Sequence, residues 1–197
     1  MTAVRVAVLA SGGGTNLQAL IDALHTAPEA RVALVITNRP NAGALDRARR
    51  AGIPATVLKN PDDPAELLAA LGPDTGLVVL AGYLKLVPPA AVARFRWKMI
   101  NIHPALLPAH GGPGMYGHRV HEAVLASGAA ESGVTVHYVD EQYDRGPIIA
   151  QARVPVRPGD TPESLAARVL EAEHELLPRV VLELARRGVP SQPVRIS

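Results

Sequence analysis

Short apolar runs separated by amphipathic segments set the rhythm of this chain. "VRVAVLA" (4–10), "VALVIT" (32–37), "PATVLK" (54–59), "GLVVLAG" (76–82) and "KMINI" (98–102) are each nearly apolar throughout. Runs of that length without polar alternation predict strands of a parallel sheet covered on both faces. The segments between them carry helix-end signals. Thr15 and Gln18 have the spacing of a capping box opening a helix over 16–25, and Gly52 closes a helix over 42–51. Asp63, Pro64 and Glu66 supply a cap, a first-turn proline and a third-position acid for a helix over 64–71, which Gly72 ends. The alternation predicts an α/β fold: a doubly wound, mostly parallel, Rossmann-like sheet flanked by helices.

The second half has a different texture. A glycine-rich loop, "AHGGPGMYGH" (109–118), leads into a helix reaching about Ser127. "GVTVHYVD" (133–140) and "GPIIAQARVPV" (146–156) read as two strands joined by a short polar loop. A long helix follows from Thr161 or Pro162 to about Arg187, with a kink expected at Pro178. No repeat, low-complexity stretch or linker divides the chain, so residues 1–197 read as one domain.

Composition narrows the function classes. Apolar residues make up 48% of the chain, and only six are aromatic (one Trp, four Tyr, one Phe), so Leu, Val, Ile and Ala must fill the core. The absence of cysteine excludes disulfides, thiolate zinc sites and cysteine nucleophiles. No apolar run reaches the roughly 18 residues of a membrane span, and "MTAVRVAVLASGGG" is interrupted too soon for a signal peptide. A cytoplasmic protein is expected. The net charge is only +2, and the basic residues form no stripe interleaved with aromatics, so neither nucleic acid nor membrane is an expected partner.

Four features carry candidate chemistry. The loop "SGGGTNLQAL" (11–20) joins the first strand to the first helix, where glycine backbone and a helix N-terminus suit a phosphate. A dinucleotide fingerprint fails, because Leu17 stands where a third glycine belongs and "TNRP" (37–40) lacks the ribose-binding acid. A tight turn without a ligand stays open. Second, Asn101 and His103 in "NIHP" share one face of a strand that Pro104 terminates at its carboxyl edge. An amide donor beside an imidazole suits an oxyanion and a proton, although a hydrogen-bonded strand-end histidine fits as well. Third, Asp144 lies in the loop "DEQYDRG" (140–146). Fourth, Glu173 falls in an apolar stripe formed by Leu165, Val169, Leu176, Val180 and Leu184. A carboxylate there must face a polar pocket or lie at the stripe's wet border. His103, His110, His118 and His121 are close in sequence but lack a carboxylate in a ligand pattern, so no metal is expected.

Taken together, "SGGGTNLQA", "LAGYLKLV" (80–87), "NIHPALLP" (101–108), "GVTVHYVDEQYDRGPII" (133–149) and "EAEHELLP" (171–178) resemble the folate-dependent phosphoribosylglycinamide formyltransferases of purine synthesis. The resemblance runs from residue 4 to about 187. It implies formyl transfer from 10-formyltetrahydrofolate, as co-substrate, to 5-phosphoribosylglycinamide, by a monomer or homodimer. Asn101, His103 and Asp144 match the family's catalytic trio, and Asp144 is expected to raise the His103 pKa by stabilising its imidazolium. Gly14, Thr15 and Asn16 would hold the ribotide phosphate, with Glu173 also binding the ribotide. Leu84, Lys85, Leu86, Val87, Asn101, Val139, Asp140 and Tyr143 would line the folate pocket. The chain would then divide into a phosphate-binding half (1–100) and a catalytic, folate-binding half (101–197) within one domain.

The chain departs from the family pattern twice. "KNPDDPAELL" (59–68) lacks the arginine that helps hold the folate, leaving Lys59 as the nearest basic residue, and the 109–120 loop is longer than usual. Rival readings are another 10-formyltetrahydrofolate enzyme on the same core, whether a transferase to a different amine or a hydrolase, and a non-catalytic folate- or nucleotide-binding module.

Overall fold

The computed structural model describes residues 2–196. Seven strands form one sheet in the order β3-β2-β1-β4-β5-β6-β7. The strands are β1 (Val4–Leu9), β2 (Ala30–Thr37), β3 (Ala55–Val57), β4 (Leu77–Leu80), β5 (Met99–His103), β6 (Glu131–Tyr138) and β7 (Ile148–Pro155). β1 to β5 pair in parallel, whereas β6 runs antiparallel to β5, and β7 antiparallel to β6. The helices are α1 (Thr15–Leu24), α2 (Gly43–Arg50), α3 (Pro64–Leu71), α4 (Pro89–Arg94), α5 (His118–Ala126) and α6 (Pro162–Arg186). A doubly wound, mostly parallel sheet is therefore present.

Alternation along the strands sorts the core into two layers. Val6, Val8, Leu77, Val79, Ile100 and Ile102 pack with α1, α2, α5 and α6. Ala7, Leu9, Val78, Leu80 and Met99 face the other way, against Leu67 and Leu71 of α3 and Ala91 and Val92 of α4. Full burial of each such Leu or Val contributes roughly 1.5–3 kcal/mol. Met99, Asn101 and His103 share the second face, so the strand is apolar where α3 and α4 cover it and polar at its carboxyl edge.

Several local expectations are corrected. Thr15 does not cap α1: Gly14, in the left-handed region at φ 73°, occupies the cap position without a side-chain bond, and the Gln18 amide turns to Asp22. Asp63 does cap α3 through the Ala65 N–H, with Pro64 and the acidic Glu66 in the first turn as expected, and the Glu66 carboxylate accepts from the Lys59 and Asn60 N–H groups. β3 is exposed at all three residues, because it is the sheet's edge. The short α4, which opens at Pro88-Pro89, was not anticipated. The long helix α6 is present as expected, with Pro178 inside it, and it opens on a capping box between Thr161 and Ser164.

Candidate active site

The carboxyl edges of β4 and β5, with Asn16 of α1, His137 of β6 and Glu173 of α6, surround a cavity of about 540 Å³. This is where ligands enter open α/β sheets. Asn101, His103 and Asp144 all line it. The His103 Nδ1 lies 3.6 Å from Asp144 Oδ2, too far for a strong hydrogen bond but close enough for charge to act. The His103 Nε2–H donates to the His110 carbonyl at 2.8 Å, which fixes the tautomer, since a carbonyl only accepts.

Asp144 is held from several directions. It sits at φ 57°, an uncommon conformation for a residue with a side chain. The Gly112 N–H donates to its Oδ2 at 2.9 Å, and the Asn101 amide reaches its Oδ1 at 3.4 Å. The glycine-rich loop can approach this closely because a Cβ on Gly111 would lie 3.1 Å from the Asp144 Cβ and 2.5 Å from a Leu107 methyl. Gly146 closes the Asp144 loop against the Tyr138 carbonyl, where a side chain has no room.

His137 is a fourth member that the sequence reading missed. It pairs directly with Asn101 across the antiparallel β5–β6 ladder, so both side chains point into the cavity. Its Nδ1–H donates to the Tyr138 carbonyl at 2.8 Å. Its Nε2 is then free to accept from the Asn101 amide at 3.1 Å, and it lies 3.5 Å from Asp144 Oδ1. The available signal was a polar residue inside the otherwise apolar "GVTVHYVD".

Asp144 does raise the His103 pKa, as expected, but it is not the largest influence. Burial pushes the His103 pKa down, and although Asp144 and the His110 carbonyl oppose this, the net shift is downward, so the resting imidazole is neutral near pH 7. For Asp144, burial pushes the carboxyl up, but the neighbouring His137 and His103 imidazoles and the Gly112 N–H together bring it below the usual aspartate value.

A second polar pair lines the same cavity. Glu173 is only 8% exposed and accepts from the Asn16 amide at 2.5 Å. Burial raises its pKa, and the Asn16 bond only partly offsets this. The Asn16 Oδ1 is buried without a partner. The stripe residues Leu165, Val169, Leu176, Val180 and Leu184 are all buried, so Glu173 lies within the stripe and not at a wet border. Gly14 and Thr15 precede Asn16 at the start of α1 and do not themselves line the cavity.

Leu84, Lys85, Leu86, Val87, Val139, Asp140 and Tyr143 form a further, more apolar part of the lining. The loop bearing Leu84 is tied to the glycine loop: the Ser11 N–H donates to the Gly82 carbonyl, and the Leu84 N–H donates to the Ser11 hydroxyl at 2.9 Å. Lys59 is exposed and does not line the cavity, whereas Lys85 does and pairs with Asp62 at 3.0 Å. Tyr83, Met115 and Tyr116 also line the cavity and were not anticipated. Among the described residues, no cluster of three or more His, Asp or Glu side chains is arranged to hold a metal. No described helix is long and apolar enough to cross a membrane.

This arrangement has known counterparts. The formyl transferase family model matches residues 4–181, spanning β1 to most of α6. The chain is 46% identical over 188 residues to a chloroplastic phosphoribosylglycinamide formyltransferase of Arabidopsis thaliana; the match covers 90% of this chain but 64% of the plant protein. It is 41% identical to the phosphoribosylglycinamide formyltransferase of Haemophilus influenzae, covering 90% of this chain and 85% of that protein. A crystal structure of phosphoribosylglycinamide formyltransferase from Anaplasma phagocytophilum superposes with a TM-score of 0.87 at 41% identity, covering 93% of this chain and 87% of that one. Because the family match takes in both the glycine loop and the two strands bearing Asn101, His103 and His137, the chain belongs to the formyl transferase family.

Proposed function

We propose that the protein transfers the formyl group of 10-formyltetrahydrofolate to the amine of 5-phosphoribosylglycinamide in purine synthesis, as a single-domain cytoplasmic enzyme. The observation that carries this reading is the convergence of Asn101, His103 and Asp144 on a cavity that also contains the Asn16–Glu173 pair. Residues 1–100 supply the phosphate-binding half, with Gly14, Thr15 and Asn16 at the start of α1. Residues 101–197 supply the catalytic and folate-binding half.

Acyl transfer between two nitrogens needs a stabilised oxyanion and a path for one proton. When the amine attacks the formyl carbon, the carbonyl oxygen becomes negative, and the Asn101 amide donates to it. His137 fixes which way that amide points, and the weak 3.4 Å contact to Asp144 is the one that yields. Neutral His103 can take the proton from the attacking nitrogen and return it to the departing one. Asp144 stabilises the transient imidazolium at 3.6 Å. For the His103 Nε2 to take that proton, the His110 carbonyl must move aside and the ring must carry its resting proton on Nδ1, the nitrogen that faces Asp144. The apolar wall of Leu84, Leu86, Val87 and Val139 suits the flat ring system of the folate. Glu173 binds the ribotide and is ionised by the pairing it gains there.

The test is tetrahydrofolate release, followed by absorbance on mixing with formyl-folate and ribotide. Release that requires the ribotide supports the transferase. Release without ribotide would identify a hydrolase, and no release would identify a binding module.

A further inference from the structure

The glycine loop does not hold its own shape. Gly12 and Gly13 each present a carbonyl to α2: the Gly12 oxygen accepts from the Ala44 N–H at 3.1 Å, and the Gly13 oxygen accepts from Arg47 Nε at 2.7 Å. Arg47 also donates from Nη1 to Gln18 Oε1 at 3.2 Å, on the first turn of α1. In a trans peptide the carbonyl and the following N–H point to opposite sides. Turning these two carbonyls onto α2 therefore turns the Gly13 and Gly14 N–H groups away from it. Those two N–H groups, and those of Thr15 and Asn16, have no acceptor among the described residues. Were either peptide to flip, an oxygen would replace a donor in the anion-binding concavity.

Packing allows no slack in this contact. A Cβ on Gly43 would lie 3.2 Å from both the Cα and the oxygen of Gly13. A Cβ on Gly14 would lie 2.9 Å from the Ala44 Cα and 3.3 Å from the Arg47 Cδ. Arg47 does not line the cavity. Its Nε and Nη1 are engaged on the Gly13 carbonyl and on Gln18 Oε1, which ties it to the loop.

We propose that α2 sets the anion-binding geometry of the glycine loop, with Arg47 as the positioning residue that locks the Gly13 carbonyl outward. The proposal rests on the reading that the ribotide phosphate sits at this loop. It assigns a role in substrate affinity to a side chain nearly thirty positions beyond the loop and outside the cavity.

Arg47→Met removes the lock without adding bulk. The KM for the ribotide and the inhibition constant of inorganic phosphate against it are expected to rise about tenfold, the size of a lost charge-assisted bond. The kcat and the formyl-folate KM should stay within about twofold, a split that general damage to the fold would not produce. Gly43→Ala keeps the guanidinium but presses a methyl onto Gly13, which must give by a few tenths of an ångström, and it should raise the same two constants. Arg47→Lys keeps the charge without the fork and should recover less than half of the loss on a logarithmic scale. Unchanged constants in Arg47→Met overturn the proposal. So does full recovery in Arg47→Lys with wild-type values in Gly43→Ala, because charge alone would then account for the effect. If the wild type shows no ribotide-dependent turnover, the functional reading fails and the clamp is judged by NMR titration with inorganic phosphate. The Gly13 and Gly14 amide resonances should move in the wild type and not in Arg47→Met. If they are still at millimolar phosphate in the wild type, the clamp is wrong too.

Discussion

Asp144 and Glu173 line the same cavity and both carboxyls are largely withdrawn from water, the Asp144 side chain being 8% exposed and Glu173 as a whole residue 8%. Their proton affinities nevertheless shift in opposite directions. Desolvation is the largest influence on both and raises both. The difference lies in the number of donors. Asp144 faces a backbone N–H and an amide, with two imidazoles close enough for any positive charge they carry to act on it, whereas Glu173 has one amide. Burial alone does not decide whether a carboxyl is charged; the donors turned toward it do. One carboxyl is therefore held ionised, and the other is left with a single donor against its burial.

The sharpest way to break this comparison is Asp144→Asn. The amide oxygen can still accept from the Gly112 N–H, so the loop geometry is kept and only the charge is removed. The kcat should fall about 10³-fold, within the range typical of losing general acid–base support, while the ribotide Kd by calorimetry barely changes. The acid limb of the pH profile should also move to lower pH, because Asp144 raises an imidazole pKa that burial lowers. Near-full kcat across the pH range would remove Asp144 from the mechanism. Next in size is Asn101→Ala, where losing one oriented donor costs about 10²–10³ in kcat. His137→Phe, which leaves Asn101 in place but without its acceptor, should cost about tenfold at most, the scale of one hydrogen bond. A loss as large as that of Asn101→Ala would mean that His137 touches the reacting atoms itself.

Asn101 and His103 stood out because period-two alternation puts them on one face and Pro104 marks the strand's end, and both facts are local. Glu173 was legible as a charge in an apolar stripe. His137 was not, because its role depends on antiparallel register with Asn101, which no local pattern encodes. The downward His103 shift was missed for a related reason: the pairing with Asp144 could be guessed, but the depth of burial that outweighs it is a property of the assembled loop. The supposed Thr15 capping box failed because the loop needs Gly14 in the left-handed region, and that backbone conformation occupies the cap position.

The other half of the comparison is tested by Glu173→Ala. Removing the carboxylate should weaken ribotide binding about 10–100-fold, the cost of one hydrogen bond to a charged group, with little change in kcat at saturating ribotide. An unchanged Kd by calorimetry would remove Glu173 from substrate binding. The formyl-folate KM should not move, since the Leu84–Val87 wall makes no contact that depends on this carboxylate.

The smallest effect is on stability, and its sign separates the two carboxyls. Glu173 has a folded pKa above its ordinary value of about 4.3. Its contribution is whole below that pH and is lost as pH rises through the folded value. Glu173→Gln keeps an oxygen for the Asn16 amide and removes the charge that burial disfavours. It should match the wild type in Tm near pH 4 and exceed it by a few degrees at neutral pH, on a scale of about 2–4 °C per kcal/mol for a chain of this size. Asp144, whose folded pKa lies below about 3.9, should behave in reverse. Its contribution is present above that pH and lost as pH falls through the folded value. Asp144→Asn should therefore lower Tm at neutral pH, with the gap to the wild type closing in acid. Calorimetric scans of both variants across that range would give two difference curves of opposite sign. Curves of the same sign would mean that burial, and not the number of donors, governs both groups.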